Sequence, residues 1–140
     1  MRIPIPEEKT FVHESIIPVR WGDMDAFGHV NNAVYFRYIE QARINWLDSL
    51  GLPFLQKDQG VVVVSAFCNF SKQIAYPADL LIKTYISNPS RVGLETFNVM
   101  SLTTDPDTAY ATSGATLVWV DFKSQKAASW PSEIKAKLHI

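Results

Sequence analysis

The chain has 140 residues and a mass of 15.8 kDa, enough for one domain of ordinary size with a real core. Hydrophobic residues make up 47% and charged residues 19%, the balance of a globular chain rather than a disordered one. With 13 Lys and Arg against 14 Asp and Glu, the formal net charge is −1, which argues against broad capture of nucleic acid or an anionic membrane and leaves room for a compact anion held by two or three local cations.

Residues 1–10 carry two prolines and several charges and read as a loose N-terminal arm on a single domain spanning 1–140. Phe11 to Arg20 has strand character, with Pro18 pointing to a sheet edge. The stretch Trp21 to Asn32 is rich in Gly, Asp and Asn, the residues of turns and caps. A helix is predicted from about Asn32 to Leu50, because Val34, Tyr35, Tyr38, Ile39, Ala42, Trp46, Leu47 and Leu50 recur at helical spacing. Asn31 or Asn32 suits its N-cap, and Gly51 followed by Pro53 stops it. At roughly 18 residues it would be about 27 Å long.

The rest reads as strands. Gly60 opens a run rich in β-branched and aromatic residues, Asp79 to Ser87 alternates, and Val92 to Leu102 and Ala109 to Phe122 follow, punctuated by Asn88-Pro89-Ser90 and Thr103 to Asp107. Pro131 opens a short C-terminal helix through Lys137. Consecutive strands after one long helix favour an antiparallel sheet in an α+β fold, curved around the helix, with an exposed edge or face used for dimerisation.

A lone cysteine, Cys68, precludes an intrachain disulfide, and nothing nearby would lower its pKa. His13, His29 and His139 lack metal-ligand spacing, so no metal site is expected. The N-terminus lacks the apolar core of a signal peptide, and the stretch from Val61 is too short to span a bilayer. The expectation is a soluble, cytoplasmic protein.

Asp25 is the leading candidate for chemistry. It precedes a helix N-terminus, where the dipole and unpaired N–H groups favour negative charge and can bind a developing oxyanion. A carboxylate there can attack a carbonyl or take a proton from water. The structural alternative is that Asp23 and Asp25 merely cap the turn.

The string Asp23-Met24-Asp25-Ala26-Phe27-Gly28-His29-Val30-Asn31-Asn32-Ala33-Val34-Tyr35 resembles the signature of hotdog-fold acyl-CoA thioesterases. The likeness is to the 4-hydroxybenzoyl-CoA thioesterase-like superfamily, and it continues through Arg43 and again from Phe70 to Asp79. It implies a hotdog fold, a curved antiparallel sheet wrapped around one long central helix. It also implies hydrolysis of an acyl-CoA thioester without a cofactor, by a homodimer or homotetramer with sites between subunits. Asp25 matches the family's catalytic carboxylate. Asn32 matches the position whose backbone N–H polarises the carbonyl, and Gly28 matches a glycine that lets the backbone approach the ligand. The HVNN string, His29 to Asn32, is similar to that of plant acyl-acyl-carrier-protein thioesterases, in which the histidine is assigned a catalytic role. His29 matches it, but the plant enzymes' asparagine two residues earlier is Phe27 here. His29 then either positions water or the thioester, or braces the loop; Asn31 reads as a cap or loop brace.

Tyr35 either packs in the core or lines the acyl pocket. The family's phosphate-binding cations near the Asn88-Pro89-Ser90 turn point to Arg91, ahead of Lys72 and Lys123, with an exposed, solvated arginine as the alternative. Glu40 pairs more readily with Arg43 than it catalyses. Ser65 either faces the site across an interface or is buried and satisfied by backbone. Three alternatives stand beside acyl-CoA hydrolysis: an acyl-ACP thioesterase, a non-catalytic acyl-CoA-binding hotdog protein, and a hotdog hydratase, for which no Asp-x-x-x-x-His pattern is present.

Overall fold

The structure, a computed structural model, describes residues 1–51 and 53–140. The long helix α1 (Asn32–Ser49) starts where the Asn31 side chain accepts the Ala33 N–H, and it ends just before Gly51, which adopts φ +72°. Tyr35, Tyr38, Ile39, Ala42, Trp46 and Leu47 are its buried face, the stripe that the apolar spacing predicts; Val34 and Leu50 flank it half-buried.

Five long strands surround it: β1 (Thr10–Pro18), β2 (Gln59–Phe70), β3 (Asp79–Ser87), β4 (Gly93–Leu102) and β5 (Ala111–Asp121). All pairings are antiparallel, in the spatial order β1-β3-β4-β5-β2. The expected α+β architecture is thus present, and it is that of the hotdog fold. Two small elements had no sequence signal, a 3-10 turn at Trp21–Asp23 and the two-residue β6 (Lys126–Ala127). β6 pairs with Val120 and Asp121, on the edge of β5 that β4 leaves after Gly93. The apolar run from Gly60 leaves the sheet at Ser71, because the Ser71 and Lys72 N–H groups both turn to the Tyr110 carbonyl. A short helix α2 (Ser132–Leu138) closes the chain.

The inward face of the sheet meets α1 through two apolar clusters. One joins Tyr35, Tyr38 and Ile39 to Ile82 and Met100, and the other joins Trp46 and Leu47 to Trp119, Trp130 and α2. A buried polar band crosses between them: Asn98 Nδ2 donates to Thr84 Oγ1 at 2.9 Å and Ser113 Oγ to Asn98 Oδ1 at 3.3 Å. Each member satisfies its neighbour, so burial costs little there. The core therefore has two ends, and the first cluster underlies the loop that carries Asp25. Among the described residues, no helix is long and apolar enough to cross a membrane.

β2 forms one edge of the sheet. It pairs with β5 on one side only, and its register shifts between Val63 and Ser65. Val63 and Val64 are 44% and 58% exposed. Ser65 is exposed too, with its hydroxyl donating to Thr116 Oγ1 at 3.2 Å, so it is neither buried nor satisfied by backbone.

Candidate active site

The loop between β1 and α1 is fixed at both ends by one residue, through its side chain and its backbone carbonyl. Asp23 Oδ2 accepts the Arg20 N–H at 2.9 Å and the Tyr38 hydroxyl at 2.6 Å, while the Asp23 carbonyl accepts the Asn31 N–H at 3.1 Å. Burial, followed by this bond to a carboxylate, pushes the Tyr38 phenol well above its ordinary range, so it stays a donor. The loop is thereby tied to the buried face of α1. Its far side is tied to the segment after β2, where the Val30 N–H donates to the Ile74 carbonyl at 2.8 Å.

Within this frame the chain turns sharply. The Gly28 N–H donates to the Asp25 carbonyl and the Asp25 N–H to the His29 carbonyl, both at 3.0 Å. Gly28 takes φ +80°, which explains the glycine by conformation. The turn holds the Asp25 carboxylate by both oxygens: Oδ1 accepts the Phe27 N–H at 2.9 Å and Oδ2 accepts Asn31 Nδ2 at 3.1 Å. The other end of the same Asn31 amide, Oδ1, accepts the Ala33 N–H at 2.9 Å. One side chain thus joins the carboxylate to the first turn of the helix. The adjacent N–H, that of Asn32, has no acceptor among the described residues and lies at the positive end of the α1 dipole.

These groups border an open cavity of about 450 Å³. Asp25, His29, Asn32 and Tyr35 line it together with Phe70 and Lys72. Tyr35 is buried and meets the Phe70 ring edge-on at 4.9 Å. Burial is also the main cause that raises its phenol pKa, which keeps the hydroxyl neutral. Phe27 is 88% exposed at the mouth. The cavity thus combines an ionisable oxygen, an unpaired N–H donor and an apolar wall, the parts needed to hold a carbonyl beside a carboxylate.

Of the residues singled out in the sequence, Asp25, His29, Asn32 and Tyr35 share this cavity, and Gly28 shapes its turn. Arg91 does not join them within one chain. It lies past the far end of β3, about 26 Å along the strand from Asp79, and its guanidinium donates to Ser129 Oγ at 2.7 Å. Lys123 is in loose contact with Asp58 at 4.0 Å. Glu40 pairs with Arg37 at 2.8 Å rather than with Arg43. Two contributions were not visible in the sequence: the bond from Asn31 to Asp25, where only the cap position gave a signal, and the Tyr38–Asp23 brace. The stretch Phe70 to Gln73, marked in the sequence by the family likeness and by Lys72, proves to line the same cavity.

A hotdog sheet with a carboxylate beside the central helix's N-terminus defines a thioesterase-like protein. Residues 19–138 match the thioesterase-like superfamily, and the chain belongs to it. It is 32% identical over 138 residues to YsmA, an uncharacterized protein of Bacillus subtilis (strain 168), covering 97% of this chain and 92% of that one. The PA2801 protein of Pseudomonas aeruginosa, proposed to be a thioesterase, is 32% identical with a TM-score of 0.85, over 92% of this chain and 99% of that one. The acyl-acyl carrier protein thioesterase ATL2 of Arabidopsis thaliana is 28% identical over 129 residues, 89% of this chain and 66% of that protein. The fold also matches that of Slr0204, a 1,4-dihydroxy-2-naphthoyl-CoA thioesterase from Synechocystis, at 18% identity and a TM-score of 0.83, over 90% and 94% of the two chains.

Proposed function

We propose that this chain hydrolyses an acyl-CoA thioester to a carboxylic acid and CoA. The observation that carries the reading is the Asp25 carboxylate, held by two donors in the same cavity as the unpaired Asn32 N–H. The thioester carbonyl accepts this N–H, and the helix dipole stabilises the charge that develops on its oxygen. Asp25 either attacks the carbonyl carbon and expels the CoA thiolate, giving a mixed anhydride that water then cleaves, or takes a proton from water that attacks the same carbon and expels the thiolate, which leaves as CoA after protonation. His29, on the same cavity, orients the water or the thioester. The acyl group lies toward Tyr35 and Phe70.

The acting unit in this reading is a homodimer, alone or paired into a tetramer. An exposed, apolar, one-sided edge strand seeks a partner, and antiparallel pairing of two β2 strands around Val63 to Ala66 would supply one. It would also carry the partner subunit's far end, with the partner subunit's Arg91, toward this cavity. The likeness to the Arabidopsis protein favours one second reading, an acyl carrier protein thioester as substrate.

The test is thiol release with DTNB from acyl-CoAs running from acetyl to palmitoyl, plus benzoyl and phenylacetyl, with an acyl carrier protein thioester alongside. Asp25→Asn should remain folded and bind CoA while losing most turnover. Near-normal turnover by folded Asp25→Asn refutes the assignment of Asp25, and no release from any thioester by the wild type refutes hydrolysis.

A further inference from the structure

The N-terminal arm, expected to be loose, is fastened at both ends across the outer face of the sheet. Near β3 the Glu8 carbonyl accepts Ser87 Oγ at 2.8 Å, and Lys9 Nζ lies 5.1 Å from the centre of the Tyr85 ring. Near β2 the tie is double. The Ile3 N–H donates to Asn69 Oδ1 at 3.0 Å, and the Ile3 carbonyl accepts Asn69 Nδ2 at 2.7 Å. The Asn69 amide thus meets the arm as a neighbouring strand would, through the donor and the acceptor of one backbone residue. Asn69 is only 9% exposed, so water competes little for these bonds. One residue earlier in the arm, the Arg2 guanidinium donates to Ser71 Oγ at 2.9 Å.

These two anchors bracket a residue of the candidate site. Side chains alternate along a strand, so Asn69 points to the outer face and Phe70 to the inner one. There Phe70 meets the Tyr35 ring edge-on and lines the cavity with Ser71, Lys72 and Gln73. Phe70 is still 42% exposed. Packing holds its ring on one side only, and the backbone at Asn69 to Ser71 decides where it stands. The sheet holds that backbone from one side. Phe70 is the last residue of β2, an edge strand, and pairs with Ala111 alone. Beyond it the Ser71 and Lys72 N–H groups share a single acceptor, the Tyr110 carbonyl, at 3.0 and 3.1 Å. The arm adds a tie on each side of Phe70. None of its bonds reaches Asp25 or Asn31, so undocking the arm leaves the carboxylate and the helix cap as they are.

We propose that Arg2, Ile3 and Asn69 are positioning residues for the cavity wall, and that the docked arm, by holding Phe70 against Tyr35, limits the size of the acyl group the cavity admits. This rests on the thioesterase reading and adds to it a determinant of acyl selectivity that lies outside the cavity.

The test removes one end of the arm and keeps the other. A chain lacking residues 2–5 loses the ties to Asn69 and Ser71 and retains those of Glu8 and Lys9. The ratio of kcat/KM for the bulkiest to the smallest acyl-CoA that the wild type hydrolyses should rise about three- to tenfold, with kcat for the smallest within about twofold. A purely structural tie would lower the melting temperature and leave the ratio unchanged; an unchanged or lowered ratio overturns the proposal. Asn69→Asp in the full chain keeps the acceptor for the Ile3 N–H and replaces the donor to the Ile3 carbonyl. It should shift the ratio the same way by about twofold, and it decides the matter if the shortened chain does not fold. Amide hydrogen exchange reads the brace without a substrate. The Ser71 and Lys72 amides should exchange about tenfold faster in the shortened chain, with those of Ile39 to Ala42 in α1 unchanged. Unchanged exchange at Ser71 and Lys72 overturns the brace. If the wild type hydrolyses no thioester, the thioesterase reading fails on its own, and exchange alone then decides whether the arm holds the wall.

Discussion

Asn31 performs two tasks that substitution can separate. Its Oδ1 caps α1 at 2.9 Å, and its Nδ2 holds Asp25 at 3.1 Å. Asn31→Ser keeps a cap of nearly equal quality but is too short to hold the carboxylate, whereas Asn31→Ala loses both. Loss of the cap costs about 1 kcal/mol. For a chain of this length the unfolding entropy is about 0.3 kcal/mol/K, so Asn31→Ser, which loses only the bond to Asp25 at about 1 kcal/mol, should melt about 3 °C lower, and Asn31→Ala, which loses the cap as well, about 6 °C lower. The bond to Asp25 is charge-assisted but open to solvent, so about 1 kcal/mol is expected from it, below the roughly 1.5–3 kcal/mol usual for a bond to a charged group. That corresponds to a loss of about fivefold in kcat, equal in both variants, because Asp25 keeps the Phe27 N–H but swings more freely. Calorimetry and thiol release on the same preparations check both numbers. A fully active Asn31→Ser would show that the amide is a cap alone. An Asn31→Ser as unstable as Asn31→Ala would show that the stability comes from the Asp25 bond and not from the cap.

Three further outcomes follow from local contacts. Tyr38→Phe removes a hydroxyl bond of 2.6 Å to Asp23, leaves that carboxylate short of a donor, and should lower the melting temperature by about 3–6 °C, read by circular dichroism. Burial pushes the Cys68 thiol up to about 11, from an ordinary 9.0. At pH 8 the folded protein should react with DTNB far more slowly than the denatured chain, which keeps the thiol-release assay clean. Since the folded value is the higher one, the stability that the neutral thiol contributes is intact below about pH 9 and is lost as pH rises toward about 11, a slope that Cys68→Ala should remove from urea melts. Gly93→Ala would place a Cβ 2.6 Å from the Leu117 carbonyl oxygen, a backbone atom that moves only with the sheet. A loss of about 1–3 kcal/mol in a urea melt is expected.

The elements were legible because their signals are local. The stripe from Tyr35 to Leu47 sets the helix, Asn31 and Gly51 bound it, and Asn88-Pro89-Ser90 separates β3 from β4. Each lies within a few residues of what it determines. The family motif added the order of magnitude that composition lacks: it singled out Asp25, His29 and Asn32, three positions that the structure gathers around one cavity. It could not place Arg91, because a motif carries a residue's identity and not which end of a strand it occupies. What stayed hidden is held together by long-range pairs. Tyr38 meets Asp23 across 15 positions, and Arg2 meets Ser71 across 69. No periodicity encodes such a pair, since either residue alone reads as ordinary: a tyrosine in an apolar stripe, an arginine in a polar arm.

The same distinction separates the two ends of the cavity. The end that holds Asp25 is built by one continuous stretch, Asp23 to Tyr35, whose hydrogen bonds mostly close within six residues. It is therefore compact enough to survive as a motif. The other end is lined by Ser71 and Lys72 at the exit from β2, which Arg2 of the arm and Tyr110 of the β4–β5 connection contact from outside the cavity. Chemistry that is common to thioesters needs only the first end. Contacts farther from Asp25 fall on the second, where the local sequence imposes no pattern.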